Sequence, residues 1–279
     1  MKFTARCRAR HGGLSPEPVG SSMGLLRRRF VLSSLIVTIA TIAGFAAGGA
    51  QSRVAASQAP ASDASRAAIV AEVKRELAKE MGLVPVALMR DRRLSFVELY
   101  TSDSNGKTHY GTAGYLGQGY FITVKHAVVA LTNEDPAIKS VRIVYQGAEV
   151  PAKVVDTGDA KAEVDRGDWA ILKSKDLDLP ALRVDTAFAF EFAEPIFRLG
   201  NDYSRGIILS SGFVGQRTDN GLVTCLIDGH PGTSGGGVLN RHGDLVGIQI
   251  GRLDGDYRFS FLLPLRTEML RKVPALQNS

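Results

Sequence analysis

From about Leu94 onward, apolar and polar residues alternate in short runs, and turn signals such as Asn105-Gly106 and Gln146-Gly147 separate them. Alternation with a period of two is typical of strands that bury one face. The predicted strands span residues 95–100, 114–116, 120–124, 141–145, 150–155, 169–172, 197–199, 207–213, 222–227, 238–239, 245–248 and 257–265. Many short strands without helices between them predict an all-β fold, either a sandwich or a pair of barrels.

The start of the chain has a different pattern. Residues 30–50 form an uncharged run of 21 residues that follows three arginines, Arg27 to Arg29. A basic segment followed by an apolar one is typical of export signals, and a helix of this length spans about 31 Å, the thickness of a bilayer core. Residues 1–50 are therefore predicted to be a leader, either a signal peptide or a membrane anchor. The protein is then exported, and it is periplasmic, secreted or anchored with its main domain outside the cytoplasm.

A linker and a helix are predicted to follow the leader. Residues 51–63 are rich in Ala, Ser, Gln and Pro, which indicates a linker, and residues 64–82 are predicted to be helical. Ile69, Val73 and Leu77 recur at every fourth position of this helix. The helix either packs on the domain or serves as an oligomerisation or spacer helix. Residues 83–279 form the predicted main domain, with a short terminal helix over residues 266–273.

Charge and cysteine content exclude several classes of protein. The net charge of the 279 residues is +6, but residues 1–30 alone contain seven basic residues and one acid, which account for all of it. The main domain therefore gives no reason to expect nucleic acid as a partner. The two cysteines, Cys7 and Cys225, cannot form a disulfide framework, and Cys225 is predicted to be a buried apolar side chain.

A glycine-rich loop between two predicted strands carries the candidate chemistry. Residues 229–237 read Gly-His-Pro-Gly-Thr-Ser-Gly-Gly-Gly, with Ser234 at the centre. A serine nucleophile must be exposed beside a base, and glycine lets backbone N–H groups approach a developing oxyanion. The N–H groups of Gly232 and Ser234 are the candidate donors. A hairpin turn with an incidental serine is the alternative, whereas a phosphate-binding loop is disfavoured because no lysine follows the glycines.

A base and an acid are needed to activate Ser234. His126 directly follows the predicted strand 120–124, and it is better placed than His11, His109, His230 or His242, which lie in the leader, in loops or too close to Ser234. Asp168 heads the apolar strand 169–172, where a carboxylate is costly unless it is paired. Asp165 is the competing acid, and it reads as a solvated loop residue.

Three segments together resemble those of the chymotrypsin-fold serine proteases. Residues 111–127 resemble the segment that ends in Thr-x-x-His in that family, residues 168–172 resemble its Asp-x-Ala-x-Leu segment, and residues 231–236 resemble its Gly-x-Ser-Gly-Gly segment. The order His, Asp, Ser is also that of the family. Phe259-Ser260-Phe261-Leu262-Leu263-Pro264 before a helix is similar to the end of the bacterial HtrA/DegP protease domain, here without a PDZ domain. Thr233, Lys125 and Gly237 depart from the usual pattern.

The resemblance implies two six-stranded antiparallel β-barrels with a His126–Asp168–Ser234 triad in the cleft between them. It implies a serine endopeptidase that acts on protein or peptide substrates without a cofactor or a metal. The membrane is a partner if the leader is retained, and a homo-oligomer is compatible with the helix. A catalytically silent pseudoprotease that binds or senses is the main alternative, and an esterase on the same site is another.

The resemblance also suggests residues that bind substrate. Asp228 lies six residues before Ser234, where trypsin places the carboxylate that selects Arg or Lys before the scissile bond. Asp-Gly is also a common turn pair, so Asp228 has a structural explanation as well. Gln249, Ile250 and Gly251 are the predicted edge that pairs with the substrate backbone.

Overall fold

The computed structural model describes residues 63–80, 83–203 and 205–276, with the side chains of residues 78–80 left out. These residues belong to one unit of the chain, which spans 59–279. The leader and the linker up to residue 62 lie outside the described residues. No helix among the described residues is long and apolar enough to cross a membrane.

Within the described residues, the chain forms two α-helices, twelve strands and two short 3-10 helices. The helices are α1 (Asp63–Glu80) and α2 (Val86–Arg93), and the 3-10 helices are Thr267–Leu270 and Pro274–Leu276. The strands are β1 (Phe96–Asp103), β2 (Thr108–Gly117), β3 (Tyr120–Thr123), β4 (Ile138–Tyr145), β5 (Ala148–Thr157), β6 (Ala170–Lys173), β7 (Pro195–Asn201), β8 (Ile207–Arg217), β9 (Val223–Leu226), β10 (Gly237–Leu239), β11 (Leu245–Arg252) and β12 (Phe259–Pro264).

The strands close into two six-stranded antiparallel barrels, which confirms the predicted all-β architecture. The first barrel has the order β1-β2-β3-β6-β5-β4, and the second has the order β10-β11-β12-β9-β8-β7. Closure leaves no open sheet edge in either barrel, apart from strand ends that extend past their partners. Turn residues set the register: at the β4–β5 hairpin, Gln146 and Gly147 have φ angles of 51° and 77°, and Tyr145 pairs with Ala148. Positive φ at both central residues is what a tight two-residue hairpin requires.

The core accounts for the period-two pattern. One apolar cluster draws side chains from both barrels, and Leu99, Phe121, Ile143, Ile171 and Leu239 are among its fully buried members. A smaller cluster lies within the second barrel and includes Ile196, Val223 and Val246. Cys225 belongs to this second cluster, and burial raises the pKa of its thiol to about 12, so it behaves as an apolar side chain.

The helical segments differ from the sequence prediction at two points, and a third observation bears on the two alternatives left open for the first helix. The described side chains of α1 are exposed, with Ile69, Val73 and Leu77 each more than half exposed, so they are not packed on the barrels. The prediction missed α2, whose Met89 is buried and whose Arg92 donates to the carbonyl of Gly243 in the second barrel. The predicted terminal helix 266–273 is in fact a 3-10 turn, Thr267–Leu270.

Candidate active site

His126 and Asp168 meet at one end of the first barrel. Strands β3 and β6 are antiparallel neighbours with Thr123 opposite Ala170, so the residue after one strand lies close to the residue before the other. Asp168 is fully buried. Its Oδ1 accepts from the backbone N–H of His126 at 2.9 Å, and its Oδ2 lies 2.6 Å from His126 Nδ1. These two contacts fix the orientation of the imidazole and place Nδ1–H toward the carboxylate.

The surroundings of His126 favour the charged form of its ring. Burial alone lowers the pKa of His126, but the hydrogen bond and the negative charge of Asp168 oppose it, and Glu163 adds a further charge. The net pKa of His126 is raised above its ordinary value of 6.5. A raised pKa makes the ring a stronger proton acceptor. It also means that the neutral, base-competent form is lost as the pH falls through this raised value.

The backbone of the loop around Ser234 is almost fully hydrogen-bonded. The carbonyls of residues 230–234 all accept: His230 from Thr233, Pro231 from Tyr203, and the other three from the donors Thr112 Oγ1, Gly236 N and Thr112 N. The N–H groups of Thr233, Gly235 and Gly236 all donate. Among the described residues, no acceptor is bonded to the N–H of Gly232 or Ser234. The loop therefore leaves unpaired the two N–H groups that the sequence singled out as candidate oxyanion donors.

Two glycines make this loop conformation possible. Gly232 has a φ of 98° and Gly235 a φ of 81°, both in the left-handed region that disfavours other residues. A Cβ at position 235 would also collide with the carbonyl of Thr112 and with Thr123 Oγ1. Because Gly235 presses against the first barrel at this point, its neighbour Ser234 is held at the boundary between the two barrels.

Thr112 of β2 fastens the serine loop to the first barrel. Its Oγ1 donates to the carbonyl of Gly232 at 2.9 Å and accepts from the N–H of Asn201 at 2.7 Å, and its own N–H donates to the carbonyl of Ser234 at 2.9 Å. A Cβ on Gly111 would lie 3.3 Å from the carbonyl oxygen of Ser234 and 3.7 Å from Ala127 Cβ. The serine loop and the segment that carries His126 thus meet at the same point of β2. No hydrogen bond joins Ser234 Oγ to His126 within the described residues; such bonds are often long in free enzymes.

A pocket of about 610 Å³ opens beside Ser234. Gln249, Ile250 and Gly251 line it as predicted, together with His230, Arg252 and Phe261. Asp228 does not line it: its side chain is exposed, and its carbonyl accepts from Arg198. The structure thus brings three of the four predicted substrate-binding residues to the serine and leaves the fourth outside.

A larger pocket of about 900 Å³ adjoins the same loop. His126, Pro231 and Gly232 are among the residues that line it. Its apolar lining residues include Ala127, Val129, Leu131, Pro136 and Ile138. Because Pro231 and Glu163 line both pockets, the two pockets adjoin each other at the serine loop.

A buried arginine lies behind the smaller pocket. Arg198 of β7 is fully buried; its guanidinium donates to Gln249 Oε1 at 2.8 Å, to Ser210 Oγ at 2.7 Å and to the Asp228 carbonyl. Burial lowers its pKa to about 10, against the opposing charges of Asp202 and Asp228, so it remains charged at neutral pH. Gln249 in turn donates to Ser260 Oγ at 3.2 Å. The side chain of Gln249 is thereby fixed from two sides.

Sequence reasoning did not single out several residues of this region. The Thr-x-x-His segment includes Thr112 without distinguishing it, and none of the three family segments includes Arg198, Asp202 or Tyr203. A charged residue inside the apolar run Ile196-Phe197-Arg198-Leu199 was the available signal for Arg198, since a strand rarely buries an unpaired charge. No local pattern marks Asp202 or Tyr203, because their contacts are formed with residues nearly thirty positions away in the chain.

The fold and the family agree with this site. The sequence profile of the trypsin-like peptidase domain matches residues 111–248, which include His126, Asp168 and Ser234. No curated protein sequence matches the chain. Residues 111–248 therefore match a trypsin-like peptidase domain, and the two barrels have the architecture of the chymotrypsin fold.

Solved proteases share the architecture at low sequence identity. The serine endoprotease from Yersinia pestis matches with a TM-score of 0.53 and 20% identity over 63% of this chain and 61% of that one. The active form of the Rv3671c protease from M. tuberculosis matches with a TM-score of 0.57 and 19% identity over 68% of this chain and 85% of that one. The HtrA-type protease AlgW with a tripeptide matches with a TM-score of 0.55 and 19% identity over 63% of this chain and 58% of that one. The chain thus spans about three fifths of the Yersinia and AlgW chains, and these identities show the shared fold.

Proposed function

We propose that the protein is a serine endopeptidase in which Ser234 is the nucleophile, His126 the general base and Asp168 the residue that orients His126. The observation that carries this proposal is the hydrogen-bond pattern of the serine loop. The carbonyls of residues 230–234 and the N–H groups of Thr233, Gly235 and Gly236 are all bonded, whereas the N–H groups of Gly232 and Ser234 have no acceptor among the described residues and lie near a histidine that a buried carboxylate orients. Unpaired, fixed donors next to an oriented base are the requirements of acyl transfer.

The reaction follows from these positions. His126 Nε2 removes the proton of Ser234 Oγ as Oγ bonds to the scissile carbonyl carbon, and the carbonyl π electrons move to oxygen. The N–H groups of Gly232 and Ser234 stabilise that oxyanion. When the oxyanion collapses, the carbon–nitrogen bond breaks, and His126 transfers its proton to the leaving amine. Water then attacks the acyl-enzyme through the same steps, which releases the acid and restores Ser234.

The substrate backbone would pair with the end of β11. Strand β10 pairs with β11 only up to Ile248, and the last bonds on that side join Gln249 to Gly235 and Gly236. From Ile250 to Arg252, the same side of β11 has no strand partner among the described residues. An extended peptide can add there as a further strand. A preference for Arg or Lys before the scissile bond stays a prediction, and the position of Asp228 outside the pocket does not support it.

The leader, the helix and the location of the protein remain proposals. We infer that residues 1–50 direct export, that the protease domain acts outside the cytoplasm, and that the exposed apolar positions of α1 serve an oligomer or a spacer. Cell fractionation of the full chain and of a variant that lacks residues 1–50 tests export. Recovery of both in the same cytoplasmic fraction would contradict it.

The catalytic proposal is tested by covalent labelling of the full chain. A fluorophosphonate should add to the wild type and not to Ser234→Ala, with one adduct measured by intact mass. His126→Ala should label at least about 10³-fold more slowly, because the nucleophile has lost its base. Absence of labelling in a folded wild-type sample would favour the pseudoprotease alternative. Labelling with turnover of esters but not of peptides would favour an esterase.

A further inference from the structure

A second contact region adjoins the serine loop from outside the triad. Residues 201–203 follow strand β7 and lie against residues 230–231. Asp202 Oδ2 is 3.0 Å from His230 Nδ1, the N–H of Tyr203 donates to the carbonyl of Pro231 at 2.9 Å, and the ring of Tyr203 stacks on that of His230 at 5.2 Å. Three contacts between two short segments fix their relative position.

The Tyr203 contact determines where the Gly232 N–H points. The carbonyl of Pro231 and the N–H of Gly232 belong to one peptide unit, and the described residues contain no cis peptide bond. In a planar trans peptide the C=O and N–H bonds point in opposite directions. Because the carbonyl points to Tyr203, the Gly232 N–H points away from residues 201–203. Gly232 lines the pocket that His126 also lines, so this pocket is open to the Gly232 N–H.

Among the described residues, the hydrogen bond from Tyr203 is the one that this peptide unit makes. Gly232 has no Cβ that would restrict rotation, and its own carbonyl, which Thr112 binds, belongs to the next peptide unit. Tyr203 itself has a φ of 50°, in the left-handed region that costs about 1 kcal/mol or more for such a residue. The side chains of Asp202 and His230 are 15% and 29% exposed, and the His230 ring also contacts that of Tyr257 at 5.6 Å. The partly buried Asp202–His230 pair joins the residue next to Tyr203 to the serine loop, and the His230 ring stacks on that of Tyr203, so together these contacts fix the position of Tyr203.

We propose that Asp202 and His230 are positioning residues that hold the Pro231–Gly232 peptide with its N–H turned toward the cleft. This inference rests on the proposed function, since an oriented Gly232 donor matters for the rate only if an oxyanion forms there. When the Asp202–His230 pair is removed, the hydrogen bond from the N–H of Tyr203 no longer holds the Pro231 carbonyl toward residues 201–203. The peptide can then rotate and turn a carbonyl oxygen, rather than a donor, toward the oxyanion position.

Labelling kinetics with a fluorophosphonate test the proposal on the full chain. Asp202→Ala and His230→Ala should lower the maximal labelling rate of Ser234 by about 10²-fold, the usual effect of losing one oxyanion donor. The half-saturating probe concentration should change by less than about threefold, because the donor acts in the transition state. Asp202→Asn keeps an acceptor for His230 and should label within about threefold of the wild type. His242→Gln, which changes an exposed turn histidine, is the matched control and should equal the wild type.

A crystal structure of Asp202→Ala in the Ser234→Ala background gives a readout that does not depend on activity. The proposal expects the Pro231 carbonyl to have left the N–H of Tyr203. Wild-type labelling rates in Asp202→Ala, or a retained Tyr203–Pro231 hydrogen bond in that structure, would overturn it. If the wild type itself does not label, the proposed function fails. The orientation of the Pro231–Gly232 peptide in the Asp202→Ala crystal structure, compared with its orientation in the structure described above, still decides this inference.

Discussion

Of the three histidine–aspartate pairs among the described residues, His126–Asp168 and His230–Asp202 adjoin the serine loop, and these two differ in what surrounds the carboxylate. In the first barrel, Asp168 is fully buried, and both of its oxygens accept from His126. In the second barrel, Asp202 is 15% exposed, one oxygen meets His230 at 3.0 Å, and the other has no hydrogen-bond partner among the described residues. The first pair raises the pKa of a ring that faces the cleft. In the second pair, the His230 ring contacts the rings of Tyr203 and Tyr257, and the pair positions the Pro231–Gly232 peptide.

The comparison teaches that residue identity alone does not give a histidine its role. A fully desolvated carboxylate interacts strongly with the imidazolium that forms during proton transfer. The Asp202–His230 pair is more solvated, and the His230 ring stacks on that of Tyr203 and packs at a tilt against that of Tyr257. Its contribution is therefore geometric. Substitutions that remove charge but keep a hydrogen-bond acceptor should separate the two roles.

The largest effect is expected from Asp168→Asn. The amide can present an N–H₂ group to His126 and favour the wrong tautomer, so kcat should fall by about 10⁴-fold. The rise of kcat/KM with pH should also move to lower pH, because the charge that raises the pKa of His126 is gone. Steady-state kinetics on one peptide substrate between pH 5 and 9, run beside Asp202→Asn, measure both. Equal losses in the two Asn variants would contradict the distinction drawn here.

A smaller effect is expected from Thr112→Val, which leaves both pairs intact and loosens the loop between them. Valine cannot donate to the Gly232 carbonyl or accept from the Asn201 N–H, so two buried backbone groups lose their partner. Each such loss costs about 1–3 kcal/mol of unfolding free energy, and kcat should fall by roughly tenfold as the loop loosens.

Thr101→Val is the matched control for Thr112→Val. Thr101 is equally buried, but its hydroxyl has no hydrogen-bond partner among the described residues. Its replacement should leave the unfolding free energy unchanged or raise it. Urea denaturation and steady-state kinetics measure both variants. A loss of stability at Thr101 as large as that at Thr112 would show that volume and shape, not hydrogen bonding, set the cost.

The smallest effect is expected at an ion pair remote from the cleft. Arg271, 58% exposed, lies 2.8 Å from Asp156, and its hydrogen bond and charge lower the pKa of that carboxyl. A lowered pKa stabilises the fold above the unfolded pKa, about 3.9, and the gain is lost as the pH falls through the folded value. Arg271→Ala should therefore lower stability only slightly at pH 7, and the difference from wild type should shrink as the pH falls below about 3.9.

Thermal unfolding from pH 3 to pH 8 measures this difference. Arg90→Ala, at an exposed arginine with no side-chain partner among the described residues, should match the wild type throughout. A difference between Arg271→Ala and wild type that stays constant from pH 8 to pH 3 would show that Arg271 acts through packing rather than charge.

The barrels could be predicted because their signal is local and repeated. Short alternating runs separated by Gly-containing turns give strands and hairpins without knowledge of the tertiary fold, and the order of His126, Asp168 and Ser234 gave the family. The short helix α2 could not be found this way, since one buried residue, Met89, and bonds to distant carbonyls hold it in place. Asp228 was predicted to bind substrate because it lies six residues before Ser234, but a separation along the chain does not determine which way the side chain of a turn residue points.

The contacts between the barrels lie beyond sequence reasoning for the same physical reason. Thr112 and Gly232 are 120 residues apart, and neither residue carries a mark of the other in its neighbourhood. The sequence indicated which N–H groups could serve an oxyanion. It did not indicate that the carbonyls of residues 230–234 would all be bonded while those two N–H groups have no acceptor among the described residues.

The buried guanidinium of Arg198 has a consequence for how the second barrel assembles. Its acceptors come from three places: a hydroxyl on β8, a side chain on β11 and a carbonyl in the turn after β9. Moving a charge out of water costs several kcal/mol until its acceptors are present. A partly assembled barrel would bear that cost without the compensation, so we expect partial structures to be scarce. The strands of this barrel should then gain their protection from hydrogen exchange together, as a single cooperative step.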